Sequence, residues 1–233
     1  MVYQLALVCL APVFIAQGKY VRWKTPKLPE PEGERSGVAG SGPALRVLIA
    51  GDSAAAGVGV TQQSDALTGQ LIERLSEHRN VHWHLYAHSG DRASDLLLKL
   101  SQLEAQTFDA AVISIGVNDA VQMTSLNAWR ENLILIIDTL QQQFSVQRVY
   151  LSCVPPMHLF PALPNPLRWW LGLRAKQLNG VMEDLVRDHA HCTFVDIPYS
   201  GNQQDIADNG FHPGVGAYKV WAEQLARYFN TSG

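Results

Sequence analysis

Residues 47–59 read Val-Leu-Ile-Ala-Gly-Asp-Ser-Ala-Ala-Ala-Gly-Val-Gly, and the apolar run at their start ends abruptly at Gly51-Asp52-Ser53. Such a run is typical of a fully buried parallel strand, and the glycines after it allow a sharp turn and the close approach of a ligand. In an open α/β sheet, ligands bind at the carboxyl ends of the strands. Ser53 is therefore a candidate nucleophile, although the pattern also fits a tight turn in which Ser53 only caps the next helix.

The composition describes an ordinary soluble domain. The chain has 233 residues, of which 47% are hydrophobic and 17% charged, so we expect a single α/β unit with a large core. A net charge of −3 and a pI of about 6.2 argue against nucleic acid as a partner. The cysteines Cys9, Cys153 and Cys192 are odd in number and far apart, which favours buried free thiols over a disulfide or metal site.

Residues 1–43 differ in composition from residues 44–233, which we expect to form the globular domain. The segment begins with an apolar run over residues 1–16, continues with the basic residues Lys19, Arg22, Lys24 and Lys27, and ends in a Pro/Gly-rich linker over residues 26–43. Three interpretations stay open. The segment lies in a membrane interface with Tyr20 and Trp23 at headgroup level, it packs on the domain, or it is a poorly formed export signal or anchor. The first predicts peripheral membrane contact through residues 1–27. The corresponding location is cytoplasmic or membrane-associated, with export left open.

Apolar runs and amphipathic stripes alternate through the rest of the chain. The runs predict strands at 45–50, 81–87, 110–115, 148–154 and 192–197, and the stripes between and after them predict helices, two of them with N-caps at Ser64 and Asn165. Residues 81–87 alternate between apolar and polar side chains, which indicates an edge strand. The alternation of strands and helices predicts an α/β fold in three layers, with a doubly wound, parallel, five-stranded sheet between helices.

Three histidines, His82, His84 and His88, share one face of the second predicted strand. They raise the hypothesis of a zinc site, but no carboxylate or cysteine stands near them at ligand spacing. A face covered by solvent or by the linker is the favoured interpretation, and we expect no metal and no cofactor.

Four polar or glycine positions follow the predicted strands and should meet at one rim of the sheet: Ser53, Gly90, Asn118 and His212. A serine beside a histidine suits nucleophilic acyl transfer, because the imidazole takes the serine proton during attack and returns it to the leaving group. The oxyanion of the tetrahedral intermediate needs fixed donors. The backbone N–H groups of Ser53 and Gly90 and the side-chain amide of Asn118 are the candidates.

The four blocks Gly51-Asp52-Ser53, Gly90, Gly116-Val117-Asn118-Asp119 and Gly210-Phe211-His212-Pro213 resemble those of the SGNH (GDSL) hydrolases. The resemblance covers residues 45 to about 230. It implies a flavodoxin-like sheet of order 2-1-3-4-5 and cofactor-free hydrolysis of esters or thioesters. It also implies that Ser53 is the nucleophile, that His212 is the base, and that Ser53, Gly90 and Asn118 form the oxyanion hole.

The residue three positions before the histidine departs from the family pattern. An aspartate is usual there, whereas this chain has Asn209, with Asp208 one position earlier. Asn209 could accept a hydrogen bond from His212 through its amide oxygen, but without stabilising an imidazolium by charge. Alternatively, the flexible Asn209-Gly210 pair lets Asp208 occupy the position. Both alternatives stay open.

The substrate is indicated less directly. Residues 157–171, rich in Phe, Trp, Leu and Pro, follow the fourth predicted strand and are expected to form an acyl-binding wall or a membrane-facing lip. The sequence therefore predicts a serine esterase for small-molecule carboxylic esters, with a role in lipid metabolism. A thioesterase or lysophospholipase of the same fold, a phosphate-binding protein and a catalytically silent scaffolding relative are the alternatives.

Overall fold

A computed structural model describes residues 2–199, 202 and 205–231, without the side chains of residues 2–9 and 231. Cys9, which the sequence predicts to be a free thiol, lies among the side chains that are not described. Within the described ranges, six strands form one sheet: β1 (Ser36–Ala39), β2 (Ala44–Gly51), β3 (Asn80–Ala87), β4 (Ala110–Ser114), β5 (Arg148–Ser152) and β6 (Cys192–Val195).

The order of the sheet is β1-β3-β2-β4-β5-β6, and every neighbouring pair from β3 to β6 is parallel. The five strands predicted from apolar runs are therefore present in the order 2-1-3-4-5, as expected. They run parallel because long connections, most of them helical, join them. Their carboxyl ends consequently share one rim.

The prediction that residues 81–87 form an edge strand is wrong. β1 pairs antiparallel with β3, from Ser36 opposite His84 to Ala39 opposite Val81, and so occupies that edge. The segment predicted to be a linker thus supplies a sixth strand, because its backbone satisfies the N–H and C=O groups that β3 would otherwise expose. The division of the chain at residue 43 stays a prediction.

Helices cover both faces of the sheet. The described helices are α1 (Val2–Lys24), α2 (Ser53–Ala56), α3 (Leu67–Ser76), α4 (Ala93–Ser101), α5 (Val117–Val121), α6 (Leu126–Phe144), α7 (Leu167–Asp188) and α8 (Val215–Thr231). α4, α6 and α7 bury their apolar stripes on one face, and α3 and α8 bury theirs on the other. The three-layer fold follows from these amphipathic stripes. Cys153 and Cys192 are buried free thiols, as predicted.

Two predicted helix caps are wrong. Ser64 lies in a 3-10 turn (Gln63–Asp65), and α3 begins later with Ala66 at its N-cap. The buried side chain of Gln63 donates to the carbonyl of Ala56 and so holds this turn apart from the helix. At the start of α7, Pro166 takes the N-cap position that was predicted for Asn165.

Gln17 of α1 makes the hydrogen bonds expected of a cap at α7. Its Oε1 accepts from the N–H of Leu167 at 3.0 Å, and its Nε2 donates to the carbonyl of Asn165 at 2.6 Å. The ring of Phe14 also stacks on Trp170, with 5.9 Å between centroids. α1 is thereby attached to the start of α7, in agreement with the second interpretation of this segment. None of the helices in the described part of the chain is long and apolar enough to cross a membrane.

Candidate active site

Ser53 and His212 meet at the carboxyl rim of the sheet, although 159 residues separate them in sequence. Ser53 is the first residue of α2, directly after β2, and His212 lies in the loop that leads into α8. The distance from His212 Nε2 to Ser53 Oγ is 3.1 Å, within hydrogen-bonding range. The N-cap of α2 is Asp52, whose carboxylate accepts from the N–H of Ala54. The interpretation of Ser53 as a mere cap is therefore wrong.

Hydrogen bonds between loops hold the strand ends together around Ser53. The N–H of Asp52 donates to the carbonyl of Ser114 at the end of β4, and the N–H of His88 donates to the carbonyl of Gly51. Gly51 has a positive φ of 154°, and a Cβ there would lie 1.8 Å from the carbonyl oxygen of Ser114. Only glycine allows β2 and β4 to approach so closely at the point where the nucleophile begins.

The predicted oxyanion donors lie on the neighbouring loops. Asn118 is in α5, after β4, and its Nδ2 donates to the carbonyl of Asp91 at 2.9 Å. This bond uses one of the two amide hydrogens and ties Asn118 to the loop that contains Gly90. Gly90 has a φ of 95°, and a Cβ there would meet open space, so the backbone is accessible to a ligand. The N–H of Ser53, at the first position of α2, has no acceptor within its own helix.

Asn209, rather than Asp208, contacts the histidine. Asn209 is only 6% exposed, and its Nδ2 lies 2.9 Å from His212 Nδ1, whereas Asp208 is exposed to solvent. The structure therefore assigns the position next to the imidazole to the amide. The alternative in which Asp208 takes this position is not what the structure contains.

The hydrogen-bond network determines which way the Asn209 amide faces. Its Oδ1 accepts from the N–H groups of both Phe211 and His212, each at 3.1 Å. Its Nδ2 also donates to the carbonyl of Pro26 at 3.3 Å. Reversing the amide would set its NH2 group against two N–H donors, so the NH2 group faces His212.

This orientation determines the tautomer of His212. Because Asn209 donates to Nδ1, the neutral ring must carry its proton on Nε2, from which it donates to Ser53 Oγ. Burial lowers the pKa of His212 to about 4, so the ring is neutral at neutral pH. Ser53 and His212 are therefore placed as a nucleophile and a base would be. In this tautomer, however, Nε2 of His212 already carries a proton and cannot accept the proton of Ser53.

Two buried carboxyl groups, those of Asp52 and Asp119, support the site. Both residues belong to the blocks quoted from the sequence, but no role was predicted for either. Asp52 is 1% exposed, and burial, together with the charges of Asp119 and Asp91, raises its pKa to about 7. Its Oδ2 has no hydrogen-bond partner among the described residues. Asp119 accepts from the N–H of Ala93 and the hydroxyl of Thr124, which ties the start of α4 to α5. Burial also raises the pKa of Asp119.

An apolar cleft with a cavity volume of about 60 Å³ is lined by both Ser53 and His212. Leu159 and Phe160 border it, so the segment 157–171 supplies part of its wall. Phe160 packs edge-on against Phe211, with 5.2 Å between ring centroids. Among the described residues, no three His, Cys, Asp or Glu side chains lie together as metal ligands would.

Comparison with known proteins agrees with this geometry. A family described as GDSL-like Lipase/Acylhydrolase matches residues 49–220. Curated protein sequences gave no match.

Solved structures share the fold at low sequence identity. A lipolytic protein of the G-D-S-L family from Veillonella parvula superposes with a TM-score of 0.63 at 14% identity, over 79% of this chain and 98% of that one. TesA superposes with a TM-score of 0.63 at 18% sequence identity, over 80% of this chain and 98% of that one. A carbohydrate esterase family 2 enzyme from Corynascus thermopiles superposes with a TM-score of 0.63 at 16% sequence identity, over 83% of this chain and 68% of that one. That protein also has a carbohydrate binding domain. These likenesses establish the SGNH hydrolase fold.

Proposed function

Because this chain belongs to the GDSL-like lipase/acylhydrolase family, we propose that it is a serine esterase that cleaves carboxylic esters through an acyl-enzyme. The observation that carries the proposal is the 3.1 Å contact between Ser53 Oγ and His212 Nε2 in the lining of an apolar cleft. A hydroxyl within hydrogen-bonding reach of a neutral imidazole nitrogen is the pairing of nucleophile and base on which nucleophilic acyl transfer is built.

The reaction then proceeds in two halves. Ser53 Oγ attacks the carbonyl carbon while its proton passes to Nε2 of His212, and the oxyanion forms. The donors for this charge are the N–H groups of Ser53 and Gly90 and the amide of Asn118. When the intermediate collapses, the bond to the alcohol breaks and the imidazolium returns the proton to the leaving oxygen. Water repeats the sequence on the acyl-enzyme, releasing the carboxylic acid and restoring Ser53.

Asn209 makes this cycle slow. Base catalysis needs a free lone pair on Nε2 of His212, and the ring must then hold its proton on Nδ1, which faces the NH2 group of Asn209. Forming that tautomer requires the amide to turn and to give up its bonds from the N–H groups of Phe211 and His212. The proton transfer therefore occurs through a minor state, and turnover is reduced in proportion to its population.

The cleft suits the acyl part of an ester. Leu159, Phe160 and Val117 contribute apolar surface around the reactive pair, and such a lining favours an aliphatic acyl chain over an acetylated sugar. The G-D-S-L neighbour named as lipolytic agrees with this preference, whereas the carbohydrate esterase neighbour represents the other substrate class. An acyl thioester is the nearest alternative substrate, and the same cleft would hold its chain.

A fluorophosphonate probe and a panel of aryl esters of graded acyl length test the proposal. We expect the probe to modify Ser53 stoichiometrically, as read by mass spectrometry, and Ser53→Ala to abolish both labelling and hydrolysis. Ser101→Ala, which removes an exposed serine of α4, is the matched control and should behave as wild type. A folded protein that is neither labelled nor active on any ester or thioester of the panel would contradict the proposal.

A catalytically silent relative is the second candidate, and the Asn209 amide is the observation that favours it. If Asn209 holds His212 permanently in the Nε2–H tautomer, the chain keeps the cleft but not the base. In that case an apolar carboxylic acid or ester would bind without turnover. Binding measured by calorimetry, with no labelling of Ser53, identifies this outcome.

A further inference from the structure

α1 has two faces of different character. Phe14, Gln17 and Val21, at helical spacing, face α7 and the core beside it. The opposite face carries Ile15, exposed by 60%, and the aromatic residues Tyr20 and Trp23. Trp23 is 82% exposed, which is unusual for the largest apolar side chain in a folded domain. The helix therefore presents an apolar surface that the domain does not cover.

Basic side chains surround this surface. Lys19, Arg22, Lys24 and Lys27 lie on or directly after the last turns of α1, and the first acidic residue of the chain is Glu30. Lys24 Nζ lies 5.5 Å from the centroid of the Tyr20 ring, and the rings of Tyr20 and Trp23 are 6.3 Å apart. Lys19 is one helical turn before Trp23 and is also exposed, so cations and rings share one face.

We propose that this face, defined by Ile15, Lys19, Tyr20 and Trp23, docks on a bilayer that contains anionic lipid. Tyr and Trp rings combine an apolar body with a polar tip and concentrate at headgroup level in membranes. Lysine stems bury along the acyl boundary while the ammonium groups reach anionic headgroups. The core of a protein–protein interface, by contrast, is depleted of lysine, which disfavours a protein partner.

The position of α1 agrees with a surface-lying helix. Its packed face is held by the side chain of Gln17, which donates to the carbonyl of Asn165 and accepts from the N–H of Leu167. The loop before α7 contributes Leu159 and Phe160 to the cleft. Docking through the opposite face leaves those bonds intact, so the helix lies along the membrane plane with the domain behind it. The segment that borders the cleft is then attached directly to the docked helix.

Co-sedimentation of the full chain with vesicles tests the proposal. We expect binding to phosphatidylcholine vesicles that contain phosphatidylglycerol, weaker binding without it, and a decrease with salt. Tyr20→Ser/Trp23→Ser should abolish binding. Lys19→Glu/Lys24→Glu should weaken binding to the anionic vesicles at least about 10-fold.

Matched controls separate docking through α1 from non-specific binding, from ester hydrolysis and from dimerisation. Leu98→Ser/Leu135→Ser removes exposed aliphatic side chains from α4 and α6 and should bind vesicles as wild type does. Ser53→Ala should also bind unchanged, because docking does not depend on hydrolysis. The proposal is overturned if the wild type binds no vesicles at low salt, or if the control loses binding equally. It is also overturned if sedimentation velocity shows a dimer that Trp23→Ser dissociates, because a second copy of the chain then covers the face.

Discussion

The side-chain Nδ2 of Asn209 lies 2.9 Å from Nδ1 of His212 and donates to it, in the position where an acid would accept. The direction of this one hydrogen bond decides which imidazole nitrogen carries the proton. It follows from two backbone N–H groups, those of Phe211 and His212, that occupy the amide oxygen. The protonation of the proposed base therefore depends on the orientation of one amide, that of the residue three positions before it in the chain.

Asn209→Asp should raise kcat by at least about 100-fold, because the reverse change in a serine protease triad costs about 10⁴-fold through the wrong tautomer. One carboxylate oxygen keeps the bonds from the N–H groups of Phe211 and His212, and the other accepts from Nδ1–H. Steady-state hydrolysis of an aryl ester measures the change. Asp208→Ala, at the adjacent exposed position, is the control and should leave kcat as in wild type. A collapse of activity in Asp208→Ala would show instead that Asp208 orients the base.

The acid limb of the pH profile should report the burial of His212. Its pKa is lowered to about 4, so the neutral base persists in acid and kcat/KM should reach half its plateau near that pH. In Asn209→Asp the carboxylate stabilises the imidazolium and raises this pKa, so the limb should move upward by more than about one pH unit. Rates between about pH 3 and pH 8 for both proteins measure the shift. Identical profiles would show that the residue at position 209 does not act on the ring.

Asn118→Ala should lower kcat by about 100- to 1,000-fold with little change in KM, because one oxyanion donor is lost. Asn118→Asp keeps the size but removes the donor, and should lose as much. Asn127→Ala, which truncates an exposed asparagine of α6, is the control and should retain full activity. A loss below about 10-fold in Asn118→Ala would remove this residue from the oxyanion hole.

Asp52 and His212 should make opposing contributions to the pH dependence of folding. Burial lowers the pKa of His212 from 6.5 to about 4, so the unfolded chain binds the proton first and stability falls by about 3 kcal/mol as pH drops through this window. Burial raises the pKa of Asp52 from 3.8 to about 7, so stability falls by about 4 kcal/mol as pH rises between these values. The two slopes nearly cancel in the wild type.

Removing either titrating group should reveal the pH dependence of stability that the other group contributes. In Asp52→Asn the free energy of unfolding should rise from about pH 4 to pH 7, and in His212→Asn it should fall over the same range. Urea denaturation at several pH values measures both. Equal slopes in Asp52→Asn and wild type would mean that Asp52 keeps an ordinary pKa in the folded state.

The central strands could be predicted because their signal is local. Residues 47–50 and 110–113 are continuous apolar runs, and such runs are stable only when buried on both faces, as these parts of β2 and β4 are. β1 gave no such signal, because Ser36–Ala39 is short and mostly exposed. It is a strand only because the edge of β3 presents backbone groups that need partners. The hydrogen bonds of Gln17 at the start of α7 could not be predicted for a similar reason. Gln17 lies 150 residues before Leu167, so no local pattern connects the two.

By itself, the sequence determined the α/β class, the order of the parallel strands through its family resemblance, and the set of residues to examine at the rim. The tertiary structure decided that Asn209 and not Asp208 contacts His212, and it decided which end of that amide faces the ring. The physical reason is that residue type sets which groups can donate or accept, whereas an amide's orientation depends on every partner around it. Here those partners include the carbonyl of Pro26, 183 residues away in the chain.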